Sequence, residues 1–333
     1  MRILSIDIET YSSVDLTKCG VYAYTLAEDF EILLLAYAFD DELVEIVNLA
    51  IGEAIPDDVV AALTDPTVIK TAFNANFERT CLARYFNKSM PAKEWRCSQA
   101  HALTLGLPAS LERVAKCLNL TKQKMKEGRD LIKYFSMPCR PTKANGRRSR
   151  NLPHHDLEKW EMFKAYCKQD VEVERGIRKR LENYPMTDKE LKLWFLDQRI
   201  NDYGVKTHMK LVKNAIACDE GHQKELLAEA THLTGLENPN SPAQLKAWLG
   251  NNHSIQIDSL SKGKVEELLN EVNHPTLTRV LELRQDMSKT SVRKYEAMDR
   301  AIGEDGRIRG LLQYYGANRT GRWAGRLVQV QNL

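Results

Sequence analysis

The sequence predicts an α/β fold: a mixed sheet flanked by helices, then a mainly helical region, then a return to strand. Three observations carry that prediction. Residues 2–49 alternate β-rich runs with short turns, giving candidate strands at 3–9, 21–26, 31–39 and 43–49. A helix at 57–63, a strand at 67–73 and a helix at 77–86 follow, and the periodicity from there to residue 183 is helical. Strands first and helices after suggest helices packed on a mixed sheet. The character changes near Pro185, where Thr187 and Glu190 form a capping-box pattern that opens a helix through Leu191, Trp194, Phe195 and Ile200. Ser241 and Gln244 repeat the device, with Pro242 at the favoured first helical position. Residues 187–302 read as almost entirely helical, and 307–315 revert to strand, with Gly316 as a break.

Three acidic clusters lie along the first of these regions. Asp7 and Glu9 are two apart on the first strand, so both carboxylates point the same way. Glu78 stands in Asn74-Ala75-Asn76-Phe77-Glu78-Arg79, and Tyr166 and Asp170 are four apart on a helix that runs from about 156 to 181, so they share a face. Four carboxylates that converge repel one another unless cations sit among them, and hard oxygen ligands suit Mg²⁺ or Mn²⁺. Each cluster alone has a plainer reading: a solvated turn, an exposed helix face, an ion pair of Glu78 with Arg79. Their ordered combination favours a two-metal site, whose ions about 4 Å apart would clamp an in-line displacement at phosphorus.

This pattern resembles the 3′–5′ exonuclease domain of family A DNA polymerases, of the type with a tyrosine in the third motif. Thr320-Gly321-Arg322 and Val330-Gln331-Asn332-Leu333 resemble the segment that enters the polymerase palm, and 238–245 and 281–295 resemble the thumb. The resemblance implies a ribonuclease-H-like exonuclease domain at 1–184, a thumb-like helical region at 185–306 and the start of a palm at 307–333. It makes Asp7 the ligand shared by two divalent ions, Glu9 and Asp170 ligands of the ion that activates water, Tyr166 the group that orients that water, and Glu78 the ligand of the second ion. It also implies nucleic-acid contacts by Asn74, Phe77, Arg319, Arg322 and Arg326, with a single-stranded 3′ end and a primer-template duplex as partners, beside replisome proteins the sequence does not name. Glu78 departs from the family, which usually has Asp there. The extra methylene moves the carboxylate outward by roughly 1.3–1.5 Å, so either the second ion is held differently or the backbone compensates. The chain stops inside the last motif and starts almost at Asp7, so a phage-like polymerase without a 5′-nuclease domain, cut before its palm aspartates, is expected. Two other readings are a ribonuclease-D-like exoribonuclease and a catalytically silent nucleic-acid-binding module.

Composition narrows the class further. With 333 residues, two domains and a sizeable core are expected. Seven scattered cysteines form no Cys-x-x-Cys pair, which points to reduced thiols in a cytoplasmic protein. The N-terminus has no basic-then-apolar leader, and no apolar run approaches the ~18 residues of a membrane span. Residues 121–150 hold ten basic side chains against two acidic ones, a net +8 that fits either a phosphate backbone or a solvated loop. His101, His154 and His155 read as surface histidines, and Trp160 and Phe163 as core. Lys289, Arg293 and Lys294 fall together on one expected helix, suited to gripping duplex phosphates or to a charged surface.

Overall fold

Strand β1 (Ile3–Tyr11) sets the frame, because its alternation sends Leu4, Ile6 and Ile8 to one face of the sheet and Ser5, Asp7 and Glu9 to the other. The computed structural model of the protein describes residues 2–329. After β1 come α1 (Leu16–Tyr24), β2 (Glu31–Phe39), β3 (Glu45–Val47), α2 (Asp57–Thr64), β4 (Ile69–Ala72), α3 (Asn76–Phe86) and β5 (Trp95–Cys97). Helices α4 (Ser98–Thr104), α5 (Leu111–Cys117), α6 (Gly128–Phe135), α7 (Leu157–Leu181) and α8 (Asp188–Tyr203) follow, then β6 (Val205–Lys206). The five-stranded sheet has the order β3-β2-β1-β4-β5, with β1–β2 and β2–β3 antiparallel and β1–β4 and β4–β5 parallel. This is the mixed sheet that the sequence predicts. The β1–β2 register shifts between Glu9 and Thr10, so the strand is irregular directly after its second carboxylate.

Two apolar layers cover the sheet. Leu4, Ile6 and Ile8 join Val59, Leu63, Leu82 and Trp95 on one side. On the other, Leu34 and Ala36 of β2 meet Phe135 of α6 and Trp160, Phe163, Cys167 and Val171 of α7. Trp160 and Phe163 are therefore core, as expected. Burying such side chains contributes roughly 1.5–3 kcal/mol each, and this layer fixes α7 above the polar face of β1.

One expected strand is a helix. Residues 21–26 carry β-prone side chains, but Asp15 accepts the Thr17 amide as an N-cap and α1 runs to Tyr24 through a kink at Gly20, whose φ is 76°. Cys19 and Tyr24 are buried by that helix, and tertiary burial overrides the local preference. The Thr187–Glu190 capping box forms in both directions at the start of α8. At Ser241 only half forms: its hydroxyl accepts the Gln244 amide, whereas the Gln244 side chain accepts from Asn238.

The compact units differ from the expected divisions at 184/185 and 306/307. Residues 2–207 and 300–329 form one unit, and 208–299 another. Helix α8 belongs to the first because Trp194 is buried in the sheet's core layer and Asn201 brackets Leu312, accepting its amide at 3.0 Å and donating to its carbonyl at 2.9 Å. The second unit holds α9 (Met209–Thr234), α10 (Pro242–His253), α11 (Lys262–Glu271) and α12 (Pro275–Met287), and α13 (Arg293–Ala301) begins in it. Its core contains Leu245, Trp248, Leu249, Leu277 and Leu281. Strands β7 (Arg307–Ile308), β8 (Leu312–Ala317) and β9 (Arg322–Gly325) complete the first unit, with β7 paired to β6 and β8 to β9. Gly316 does not break the last strand but lies within β8.

Candidate carboxylate site

Helix α7 crosses the polar face of β1, and the crossing gathers the acidic residues. Cys167 lies over Asp7, its Sγ 3.6 Å from both the carbonyl and Oδ2 of Asp7. Ligand atoms of Asp7, Glu9 and Cys167 all fall within 4.8 Å of one another. Tyr166 and Asp170, one turn apart on α7, are 2% and 4% exposed, and Glu78 on the first turn of α3 is 4% exposed. The Glu78 Oε2 and Asp170 Oδ1 atoms are buried and have no hydrogen-bond partner among the described residues.

The electrostatics tie these groups into one cluster. Burial, and then repulsion by Asp170, push the Asp7 carboxyl well above the usual carboxylate range. Burial followed by Asp7 and Asp170 does the same to Glu9, and burial followed by Asp7 to Glu78. Burial also raises Asp170, against the pull of Lys124. Burying like charges this way is costly, and two of the oxygens are left without donors. The donor set therefore fits hard divalent cations, which would satisfy the orphaned oxygens and offset the repulsion.

No protein-family model matches the chain. Over all 333 residues it is 62% identical to a DNA polymerase of Bacillus phage SP02 and spans 51% of that protein. Its fold is also similar, at 15% identity and a TM-score of 0.54, to the POL domain of Pol1 from M. smegmatis, solved in complex with DNA primer-template and dNTP. That match covers 99% of this chain and 52% of the other, so the chain spans about half the length of either protein.

Around the cluster, the structure adds four residues that the sequence motifs missed. Glu174 continues the α7 stripe one turn past Asp170. It is 2% exposed, hydrogen-bonded by Ser98 and, at 3.4 Å, by Thr71, and it adds to the repulsion on Asp7 and Glu78. The i+4 spacing from Asp170 was its signal in the sequence. Lys124 reaches back from the basic segment to Asp170, Nζ to Oδ2 at 2.5 Å, with Nζ 4.8 Å from the centroid of the Tyr166 ring. Cys167 is the third. The fourth, Gly128, opens α6 directly against Tyr166: a Cβ there would lie 2.2 Å from Cε2 of the ring. Burial and then the charges of Glu9 and Asp170 push the ionisation of the Tyr166 hydroxyl far above the ordinary tyrosine range.

Among the described residues, none of the other expected contact residues hydrogen-bonds to the four carboxylates. Asn74, in a left-handed turn with φ of 74°, and Phe77 line a cavity of about 410 Å³ together with Asp197, Asn201 and Arg326. Arg319 lies in the β8–β9 turn and Arg322 opens β9, both exposed. Arg326 bonds Gln313 and the Gly325 carbonyl. No hydrogen bond or ion pair among the described residues joins these arginines to the cluster. Val330, Gln331, Asn332 and Leu333 lie outside the described residues. His101 meets the Tyr184 carbonyl, and His155 accepts the Leu152 amide. Lys289 does not share a helix with Arg293 and Lys294, because α12 ends at Met287 and α13 starts at Arg293; Lys289 pairs instead with Asp286. No helix among the described residues is long and apolar enough to cross a membrane.

Proposed function

We propose that the chain is the exonuclease-bearing part of a phage family A DNA polymerase, and that its carboxylate site removes nucleotides from DNA 3′ ends. The observation that carries this reading is the gathering of half-buried Asp7 with buried Glu9, Glu78 and Asp170 in one cluster with two orphaned oxygens. Two divalent ions, Mg²⁺ or Mn²⁺, would promote ionisation of the attacking water and offset charge developing on the phosphate. Asp7, central to the cluster, would be shared by both, Glu9 and Asp170 would hold one and Glu78 the other. Tyr166, whose burial keeps its proton in place, orients the attacking water through its hydroxyl. In this reading residues 1–184 are a ribonuclease-H-like nuclease, 185–306 a thumb-like duplex grip, and 307–333 the start of a palm. Arg319, Arg322 and Arg326 then contact primer-template DNA, and Asn74 and Phe77 the single strand. Residues 306–333 contain no acidic side chain, so they supply no carboxylates for nucleotide addition.

The test is release of mononucleotides from 3′-labelled single-stranded DNA and RNA with Mg²⁺ or Mn²⁺. Asp7→Ala should abolish release, and DNA should be cut in preference to RNA. Undiminished cleavage by Asp7→Ala, or by the parent in excess chelator, would overturn the assignment.

A further inference from the structure

Glu174 is a fifth carboxylate beside the cluster, buried one turn past Asp170 on α7. Hydroxyls hold both of its oxygens. Ser98, which opens α4, donates to Oε1, and Thr71 of β4 donates to Oε2 at 3.4 Å. Thr71 Oγ1 also lies 3.0 Å from Ser5 Oγ, across the parallel β1–β4 ladder in which the two residues face each other. An ionised carboxylate can only accept. The hydroxyl protons therefore run from Ser5 to Thr71 to Glu174 on one side and from Ser98 to Glu174 on the other.

No cation pairs with Glu174 among the described residues. Arg175 and Arg178 follow it on α7, yet Arg175 donates to the Glu42 carbonyl at 2.8 Å and Arg178 to Glu182 at 3.0 Å. Burial pushes the Glu174 carboxyl up, and the Ser98 hydroxyl and then Arg178, at longer range, pull against that. Its charge reaches the other carboxylates instead. It repels Glu78 more strongly than Asp170 does, and it repels Asp7 as well. The two ends of the cluster are thus unequal: Lys124 places a cation on Asp170, and Glu174 places an anion behind Glu78.

Both Glu174 oxygens already hold donors, whereas Oε2 of Glu78 has none, so Glu78 is the better ligand of the two and Glu174 acts from behind it. A clasp between α4, β4 and α7 needs no charge, and a neutral side chain would avoid the cost of burying one here. We propose that Glu174 is a positioning residue of the metal site: its charge, acting through Glu78, strengthens the hold on the divalent ion at the Glu78 end. Groups behind the direct ligands orient them and tune the metal in this way. The proposal rests on the two-metal reading of the cluster and adds the residue that sets the relative affinity of its two ions.

The experiment is a Mn²⁺ titration of the full chain, followed by paramagnetic resonance in the absence of DNA. Glu174→Gln keeps the shape and an acceptor for Ser98 but removes the charge. It should weaken one of two Mn²⁺ ions about 10- to 100-fold and leave the other within about threefold. Glu174→Asp keeps the charge while drawing it back from Ser98, and should hold that ion more tightly than Glu174→Gln does. In 3′ cleavage, Glu174→Gln should need correspondingly more Mn²⁺ for its half-maximal rate, with the deficit closing at saturating metal. Unchanged Mn²⁺ affinities in Glu174→Gln, equal weakening of both ions, or a parent chain that takes up only one ion would overturn the proposal. Weaker binding by Glu174→Asp than by Glu174→Gln, or faster amide exchange throughout α7 in Glu174→Gln, would reduce Glu174 to a clasp and overturn it equally. Cleavage by the parent is scored separately. The expected loss of one ion in a chain that never cleaves sinks only the nuclease reading, and parental cleavage with unchanged Mn²⁺ binding by Glu174→Gln sinks only the role of Glu174.

Discussion

Replacing Gly128 with Ala tests whether α6 is seated on Tyr166. An added Cβ would meet Cε2 of that ring at 2.2 Å and Cδ2 and Cζ at 2.7 Å, whereas carbons rest at about 3.5–4.0 Å. The ring cannot retreat easily. It is 2% exposed and stacks on Phe163, centroids 6.2 Å apart and 4° from parallel, and Phe163 in turn stacks on Phe135 at 5.4 Å. One of the two elements must therefore shift by more than an ångström. Overpacking of this kind costs about 1–3 kcal/mol, and a hard clash with a buried ring belongs at the upper end. Alanine's better helix propensity returns at most ~1 kcal/mol, so the clash wins and the net loss is about 2 kcal/mol. With two compact units a single global unfolding energy is ill-defined, so the measurement is amide hydrogen exchange within α6. A loss of ~2 kcal/mol speeds exchange about thirtyfold, and 3′ cleavage should fall with it because the Tyr166 ring is displaced within the carboxylate cluster. Unchanged or slower exchange in Gly128→Ala would show that α6 does not press on the ring.

Three further outcomes follow from the site and its surroundings. Lys124→Met removes a cation that competes for Asp170, so Mn²⁺ binding followed by paramagnetic resonance should tighten about tenfold; weaker binding would make Lys124 a support for the metal site instead. Tyr166→Phe should lower turnover by about 10²–10³ with metal affinity nearly unchanged, and a normal rate at saturating metal would reduce Tyr166 to packing. Burial pushes the Asp197 carboxyl up to about 7, above its unfolded value, so the folded state binds the extra proton. Stability from this group therefore rises as pH falls from about 7 to about 4 and is lost above that window. Followed by amide hydrogen exchange within α8, Asp197→Asn should flatten the trend and increase protection at pH 8, and an unaltered profile would refute the shift.

The sequence exposed those parts of the site that depend on local periodicity. Asp7 and Glu9 share a strand face, and Tyr166 and Asp170 share a helix face, because pleat and pitch dictate it. Residues 31–39 were readable as strand for the same reason. What stayed hidden depends on contacts between distant segments. Lys124 was one of ten positive charges in a run that fits a solvated loop, and only the fold shows it resting on Asp170, 46 residues away. Gly128 carries no side chain to signal anything, yet its missing Cβ decides how closely α6 approaches Tyr166. The strand expected at 21–26 failed because β propensity there competes with an Asp15 cap and with burial that only the assembled sheet provides. The division expected near 185 marked a real change of pattern, but Trp194 and Asn201 carry α8 back onto the first unit.

Glu78 is the residue at which local backbone and distant charge bear on a question the sequence leaves open. A glutamate longer than the family's usual aspartate either holds an ion differently or is set back by its backbone. The left-handed turn at Asn74, with φ of 74°, starts α3 so that Glu78 falls in its first turn, and the Asn74 carbonyl accepts the Phe77 amide at 2.9 Å to close that turn. From there the carboxylate is buried, repelled first by Asp7 and then by Glu174 and Asp170, with one oxygen lacking any donor. The longer side chain has therefore not carried the charge out of the cluster. One backbone hydrogen bond favours the ionised form, but burial and three carboxylates oppose it, and a cation is the partner that would offset this arrangement of charges.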